Sequence, residues 1–141
     1  MIVDHPDAVA EVTAAFHAYE RALMADDIAT MDALFHDAPT TVRYGVGEML
    51  YGADAIRAFR QGRGGSPQRR LGPVAITTYG RDLATANAEF LRDGSDRRGR
   101  QSQTWVRFAD GWKVVAAHVS LESAATDSAA TDDGSAEGAA G

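Results

Sequence analysis

Apolar side chains recur at helical spacing through the first part of the chain. After Pro6, Val9, Val12, Phe16, Tyr19 and Leu23 step by 3, 4, 3 and 4 residues, which lays one apolar stripe along a helix. Asp26 or Asp27 then offers a carboxylate to cap a short second helix that turns Ile28, Met31, Leu34 and Phe35 inward. Residues 40–45 and 48–51 predict a short strand pair around Val46-Gly47. Residues 54–60 predict a third helix with Ile56 and Phe59 inward, and the stretch GRGGSP over 62–67 reads as a loop.

The pattern then changes to strands. Residues 72–79, 83–92, 100–108 and 112–121 are long, rich in β-formers and separated by turn signals. The last turn carries Asp110-Gly111, a two-residue hairpin signal. With those two residues as the loop, Ala109 pairs with Trp112, Gln103 lies opposite His118, Trp105 opposite Ala116 and Gln101 opposite Ser120. The other face then carries Val106, Phe108, Val115, Val119 and Leu121, and an even register across the preceding loop brings Asn87 and Glu89 to the face of Gln103 and His118. Helices first and an antiparallel meander after define an α+β chain whose helices cover one face of the sheet. No glycine-rich turn joins a strand to a helix, so neither a dinucleotide fold nor a P-loop is expected.

Charge divides the chain in two. The net charge is −6, but residues 122–141 hold five acids and no Lys or Arg, so the rest is nearly neutral. That excludes the basic excess of a general nucleic-acid binder. Residues 123–141 have no aromatic, Leu, Ile or Val, so this acidic Ala/Asp/Gly/Ser segment is expected to be a disordered tail behind a domain spanning residues 1–122. The 141 residues suffice for one domain with its own core. No apolar run approaches the length of a membrane span, and the N-terminus has no secretory pattern, so a cytoplasmic protein with no membrane partner is expected. The chain has no cysteine, which removes disulfides, thiolate metal sites and cysteine nucleophiles. Lys113, the one lysine, follows a turn and is expected to be exposed, a poor Schiff-base candidate.

Few residues remain to carry chemistry. Tyr19 lies on the inward stripe, either as a core aromatic with its hydroxyl tied to backbone or as a phenol placed to donate a proton or a hydrogen bond. Arg43 alternates with Val42 and Tyr44, so it is either on a solvated outer face or, if its neighbours face a dimer partner, inside, where its planar fork would grip a carboxylate. Asn87, Gln103 and His118 would make either an interface or a polar floor suited to urea-like groups. The other histidines, His5, His17 and His36, show no ligand spacing, so no metal is expected. No serine has a motif-supported base. Arg57, Arg60, Arg63, Arg69 and Arg70 read as a solvated basic patch, or less simply as an anion-attracting rim.

Three long stretches carry a resemblance. They are AYERALMADDIATMDALFHDAPTTVRYGVGEMLYGADAIRAFR (18–60), ITTYGRDLATANAEF (76–90) and GRQSQTWVRFADGWKVVAAHVSL (99–121). They resemble the AtzH-like (HpxZ, oxalurate-catabolism) family of the SnoaL-like, nuclear-transport-factor-two-like superfamily. The resemblance implies a cone-shaped fold with three N-terminal helices packed on a curved antiparallel sheet. It also implies a decarboxylating amidohydrolase acting on a small N-carboxylated urea or ureide, such as 1,3-dicarboxyurea, in nitrogen catabolism. The family's pocket Tyr and Arg fall on Tyr19 and Arg43, the expected catalytic pair. No cofactor is expected: losing carbon dioxide from an N-carboxy group needs a proton on the leaving nitrogen and no enzyme nucleophile. A homodimer through the outer sheet face is the expected assembly. The alternative is a non-catalytic accessory partner of an amidase in oxalurate or ureide breakdown. A third possibility, an isomerase of the ketosteroid type, would need a buried acidic base, for which Glu89 or Glu48 is the candidate.

Overall fold

The computed structural model describes residues 1–123. The tail expected from residue 123 onward therefore lies, past its first residue, outside the described residues.

Helix α1 (Pro6–Ala25) begins with proline in its first turn and buries Ala8, Val12, Phe16, Tyr19, Ala22 and Leu23 along one stripe. The stripe opens on Ala8 where the spacing had pointed to Val9, because the 4-residue step from Val12 runs back to Ala8. The helix stops at Asp26, which adopts the left-handed conformation at φ 54°. Helix α2 (Ile28–Leu34) is capped by Asp27, whose carboxylate accepts from the Thr30 amide at 3.1 Å. Strands β1 (Val42–Tyr44) and β2 (Met49–Tyr51) pair antiparallel. Helix α3 (Ala53–Arg63) runs about a turn longer than the expected 54–60 and buries Arg60 beside Ile56, while Phe59 is only half-buried.

Strands β3 (Arg69–Tyr79), β4 (Leu83–Arg92), β5 (Arg98–Phe108) and β6 (Gly111–Leu121) form the meander. The six strands order as β2-β1-β6-β5-β4-β3, with β1 parallel to β6 and every other pairing antiparallel. The helices pack on the inner face. There the small residues Ala84, Ala86 and Ala88 of β4 leave space for Phe16, Met31, Trp105 and Val114, all fully buried. Each large apolar side chain removed from water in this way contributes about 1.5–3 kcal/mol.

The β5–β6 register departs from the expected one. Phe108 pairs with Gly111, so the tight loop is Ala109-Asp110. Gly111, at φ 120°, opens β6 in a conformation that side-chain-bearing residues rarely adopt. Further along, Thr104 pairs with Ala116 but Trp105 pairs with Val114, so Val115 is a bulged extra residue. Past the bulge, Gln103 faces Ala117 and His118 faces Ser102. A one-residue slip reverses a strand's faces. Gln101, Gln103, Ala117 and Val119 therefore point inward, and His118 points outward with Ser102.

Candidate functional site

Arg43 stands in an inward row across the sheet, one strand in from the β2 edge. Leu50, Arg43, Ala117, Gln103, Ala86 and Ile76 are successive cross-strand partners from β2 to β3. Its neighbours Val42 and Tyr44 are half-buried on the opposite face, and Arg43 itself is 9% exposed. The outer-face alternative for Arg43 is thereby removed. A buried guanidinium needs compensation, and the four-residue turn that follows supplies it: Arg43 Nη1 donates to Glu48 Oε2 at 2.7 Å. Glu48 Oε1 also accepts from the Gly47 amide at 3.3 Å.

Tyr19, 4% exposed, sits on the inner stripe of α1, with its ring centre 5.6 Å from that of Phe35. Its hydroxyl makes no hydrogen bond with any described residue, and it is not among the polar atoms sealed from solvent without a partner. A core tyrosine is ordinarily buried with its hydroxyl paired. Here the ring is held and the oxygen is left available. Two of the groups said at sequence level to carry chemistry thus both lie on the inner side of the fold.

Helix α3 adds what the sequence reading left in solvent. Arg60 is 2% exposed, donates to Asp32 Oδ1 at 2.6 Å, and places its Cζ 4.3 Å from the Phe35 ring centre and 6.0 Å from that of Tyr19. Its Nε and Nη2 are buried with no acceptor. Arg63, one turn on, lies 5.2 Å from the centre of the Phe59 ring, and Arg43 lies 5.3 Å from the same centre. Burial first, and then the like charges of Arg43 and Arg60, hold the Arg63 guanidinium below its ordinary pKa. Arg69 grips Glu20 through two nitrogens, at 3.0 and 2.7 Å, and donates to Gln101 Oε1 at 2.9 Å. The solvated-patch reading therefore fails for Arg60 and Arg69 and holds for exposed Arg70. A signal was present in the spacing: Ile56, Arg60 and Arg63 follow one helical face. Lys113 is also less free than expected, since its Nζ donates to the Ala33 carbonyl at 2.6 Å near the C-terminus of α2.

Gln103 belongs to the inner face, where its Oε1 accepts from Trp105 Nε1 at 2.9 Å. Asn87 and His118 do not join it. They share an outer row with Ser102 between them, where Ser102 donates to Asn87 Oδ1 at 2.6 Å and His118 packs edge-on against Tyr44 with ring centres 5.6 Å apart. The polar floor of Asn87, Gln103 and His118 is thus split between faces for two reasons: the Val115 bulge re-phases β6 and turns His118 outward, and β4 pairs with β5 out of the expected even register, so that Ala86 and not Asn87 stands on the face of Gln103. Glu89, half-buried and 3.6 Å from Arg98, is likewise on the outer side. Glu48 is committed to Arg43. A surface cleft of about 350 Å³ beside Pro39, Tyr51 and Asp54 touches neither Tyr19 nor Arg43. Among the described residues, no three His, Asp or Glu side chains gather as metal ligands, and no helix is long and apolar enough to cross a membrane.

A curved sheet with three helices on its inner face is the nuclear-transport-factor-two-like architecture. An NTF2-like protein of Pseudomonas putida superposes on it with a TM-score of 0.72 at 18% identity, covering 92% of this chain and 96% of that one. The family model for AtzH-like proteins matches residues 1–125, and the chain belongs to that family. It is similar to a DUF3225-family protein of unknown function from Pectobacterium atrosepticum, at 53% identity and a TM-score of 0.84 over 86% of this chain and 95% of that one. It is equally similar to a cystatin-like fold protein from Burkholderia xenovorans, at 52% identity and a TM-score of 0.83 over 86% and 96% of the two chains. No curated protein matches the chain.

Proposed function

We propose that this AtzH-like chain is a decarboxylating amidohydrolase of small N-carboxylated ureas, with Tyr19 as proton donor and Arg43 as carboxylate clamp. The observation that carries the reading is the available Tyr19 hydroxyl on a buried ring beside Arg60, on the same side of the sheet as Arg43. In the reaction the bond between the urea nitrogen and its carboxyl carbon breaks. The electron pair stays on nitrogen, which takes a proton, and carbon dioxide leaves. Without that proton, negative charge would build up on the urea. A donor at the nitrogen and positive charge near the urea therefore lower the barrier. Arg43 would hold a carboxylate through its fork, and neighbouring guanidiniums supply positive charge beside the phenolate that proton donation leaves. Solvent returns the proton between turnovers.

Carbon-13 NMR of a labelled N-carboxylated urea tests the reading directly. The purified chain should release carbon dioxide and bicarbonate well above the spontaneous rate, and Tyr19→Phe should remove most of the acceleration. A wild-type chain that leaves the spontaneous rate unchanged on every small carboxylated urea would sink the enzyme reading. Co-purification with an amidase of ureide breakdown would then be the measurement that establishes an accessory role.

A further inference from the structure

We propose that Arg63 is a second anion-binding residue, placed to take one carboxylate of a small dicarboxylate while Arg43 takes the other. As an assignment of substrate class it rests on the reading above, but the binding it asserts does not.

Three observations carry it. The first is the pairing of charges. Arg43 is matched by Glu48, Arg60 by Asp32 and Arg69 by Glu20. No hydrogen bond or ion pair with a described residue reaches Arg63, and its Nε is closed off from solvent with no acceptor. A half-buried guanidinium with no ion pair of its own, offset only at longer range by Glu48, is costly to keep, and an anion would relieve that cost.

The second observation is position. Arg43 and Arg63 each lie within 5.3 Å of the centre of the one Phe59 ring. One short molecule with a carboxylate at each end can therefore reach both. The third is that the cationic surroundings of Arg63 extend into the fold. Arg60, 2% exposed, has Nε and Nη2 buried without acceptors. The depressed pKa of Arg63 agrees with this: burial and the charges of Arg43 and Arg60 outweigh the opposing pull of Tyr19 and Glu48.

The two clamps are unequal, and the inequality suits the chemistry. Arg43 already shares its charge with Glu48, so it would hold a carboxylate weakly, as suits one that must lose its charge as carbon dioxide. Arg63 has no close ion pair and would hold the retained carboxylate more firmly. Only binding that persists or strengthens as the bond breaks accelerates the step.

Titration calorimetry with glutarate tests the inference without turnover. Its carboxylates are separated by three carbons, as the two N-carboxyls of a urea are by N–C–N, and it offers no N-carboxy bond to break. Wild type should bind glutarate roughly tenfold or more tighter than acetate. Arg63→Gln should lose that preference, with both anions falling to the weaker binding that Arg43 alone provides, and Arg63→Lys should restore part of it. Should Arg63→Gln fail to fold, Arg63→Lys set against wild type still reads the dependence, with a weaker glutarate preference expected. Inorganic phosphate, too compact to span the two guanidiniums, should bind no tighter than acetate. Glutarate binding equal in wild type and the Arg63 variants overturns the inference, as does phosphate binding as tight as glutarate, or a wild type with no preference for glutarate over acetate. Glutarate binding through Arg63 with no turnover of an N-carboxylated urea would leave the inference standing and remove the enzymatic reading. Turnover with an unchanged KM in Arg63→Gln would do the reverse.

Discussion

The Glu48 carboxylate lies over the backbone of Gly45, in the space where a β-carbon would stand, and from there accepts from Arg43 Nη1 at 2.7 Å. Glycine at 45 is thus a condition for the ion pair. The hairpin folds back tightly enough for the Gly45 amide to donate to the Glu48 carbonyl at 2.9 Å, which fixes the carboxylate over the guanidinium. Arg43 is held by this short-range ion pair within its own hairpin and by the Phe59 ring of α3, 5.3 Å away.

Gly45→Ala should therefore act on Arg43. The added methyl evicts the Glu48 carboxylate, which is flexible enough to swing away, and leaves a nearly buried guanidinium unpaired. The expected cost is about 1–3 kcal/mol in chemical denaturation. In a Glu48→Gln background the same substitution should cost clearly less, since the pair is already weakened. The two changes should be non-additive in a double-mutant cycle. Additive costs would mean that Gly45 matters for some reason other than Glu48.

A second close approach lies at the far end of β5. A β-carbon on Gly99 would fall on the ring of Phe90, which is buried and flanked by the Arg69 guanidinium 4.2 Å from its centre. Gly99→Ala should cost about 1–3 kcal/mol by overpacking. A companion Phe90→Leu should recover part of the loss. No change in melting temperature in Gly99→Ala would show that the ring moves freely there.

Asp27 gives the pH prediction. The Thr30 hydroxyl and amide donate to its carboxylate at 2.7 and 3.1 Å, in that order of effect, and hold its pKa below the ordinary 3.8. A folded-state pKa below the unfolded one stabilises above the unfolded value and is lost as pH falls through the folded value. Asp27→Ala should thus lower the melting temperature by a few degrees at neutral pH. The gap to wild type should narrow below about pH 4. A gap that stays constant down to pH 2 would exclude the carboxylate as its origin.

The outer sheet face supplies a test of assembly. Met49 is 72% and Tyr51 61% exposed there, on the same side as Tyr44 and His118. Apolar and aromatic exposure of this kind is what a partner covers. If the proposed homodimer forms through this face, sedimentation velocity should find a dimer in wild type and a monomer in Tyr51→Glu. A wild-type monomer would remove the homodimer.

Some of this was legible in the sequence, and the rest was hidden for definite reasons. The α1 stripe, the Asp27 cap and the β1–β2 pair follow from local spacing and local hydrogen bonds. The side on which Arg43 lies does not, because strand alternation divides two faces without naming the inner one. The β5–β6 register was misplaced first at the turn, where Gly111 opens β6 and does not close the loop, and again at Val115, since a bulge leaves no compositional mark. That one residue moved His118 away from Gln103. Arg60 and Arg69 look solvated as sequence, since their counter-ions Asp32 and Glu20 are 28 and 49 residues away. Only the fold brings those charges together.

Tyr19 and Arg43 decide the proposed chemistry. Tyr19→Phe removes one oxygen and keeps the ring against Phe35, and that oxygen has no partner among the described residues. Its melting temperature should stay within a degree or two of wild type. If the phenol is the proton donor, turnover of an N-carboxylated urea should fall roughly 100-fold or more. Arg43→Lys retains charge but loses the planar fork and the geometry toward Glu48. It should raise KM and lower kcat/KM about tenfold or more, with Arg43→Ala worse on both. Circular dichroism and thermal melts on the same samples separate chemistry from folding. A Tyr19→Phe chain that is well folded and fully active would return Tyr19 to the role of a core aromatic. The proton would then have to come from solvent or from another group beside Arg43.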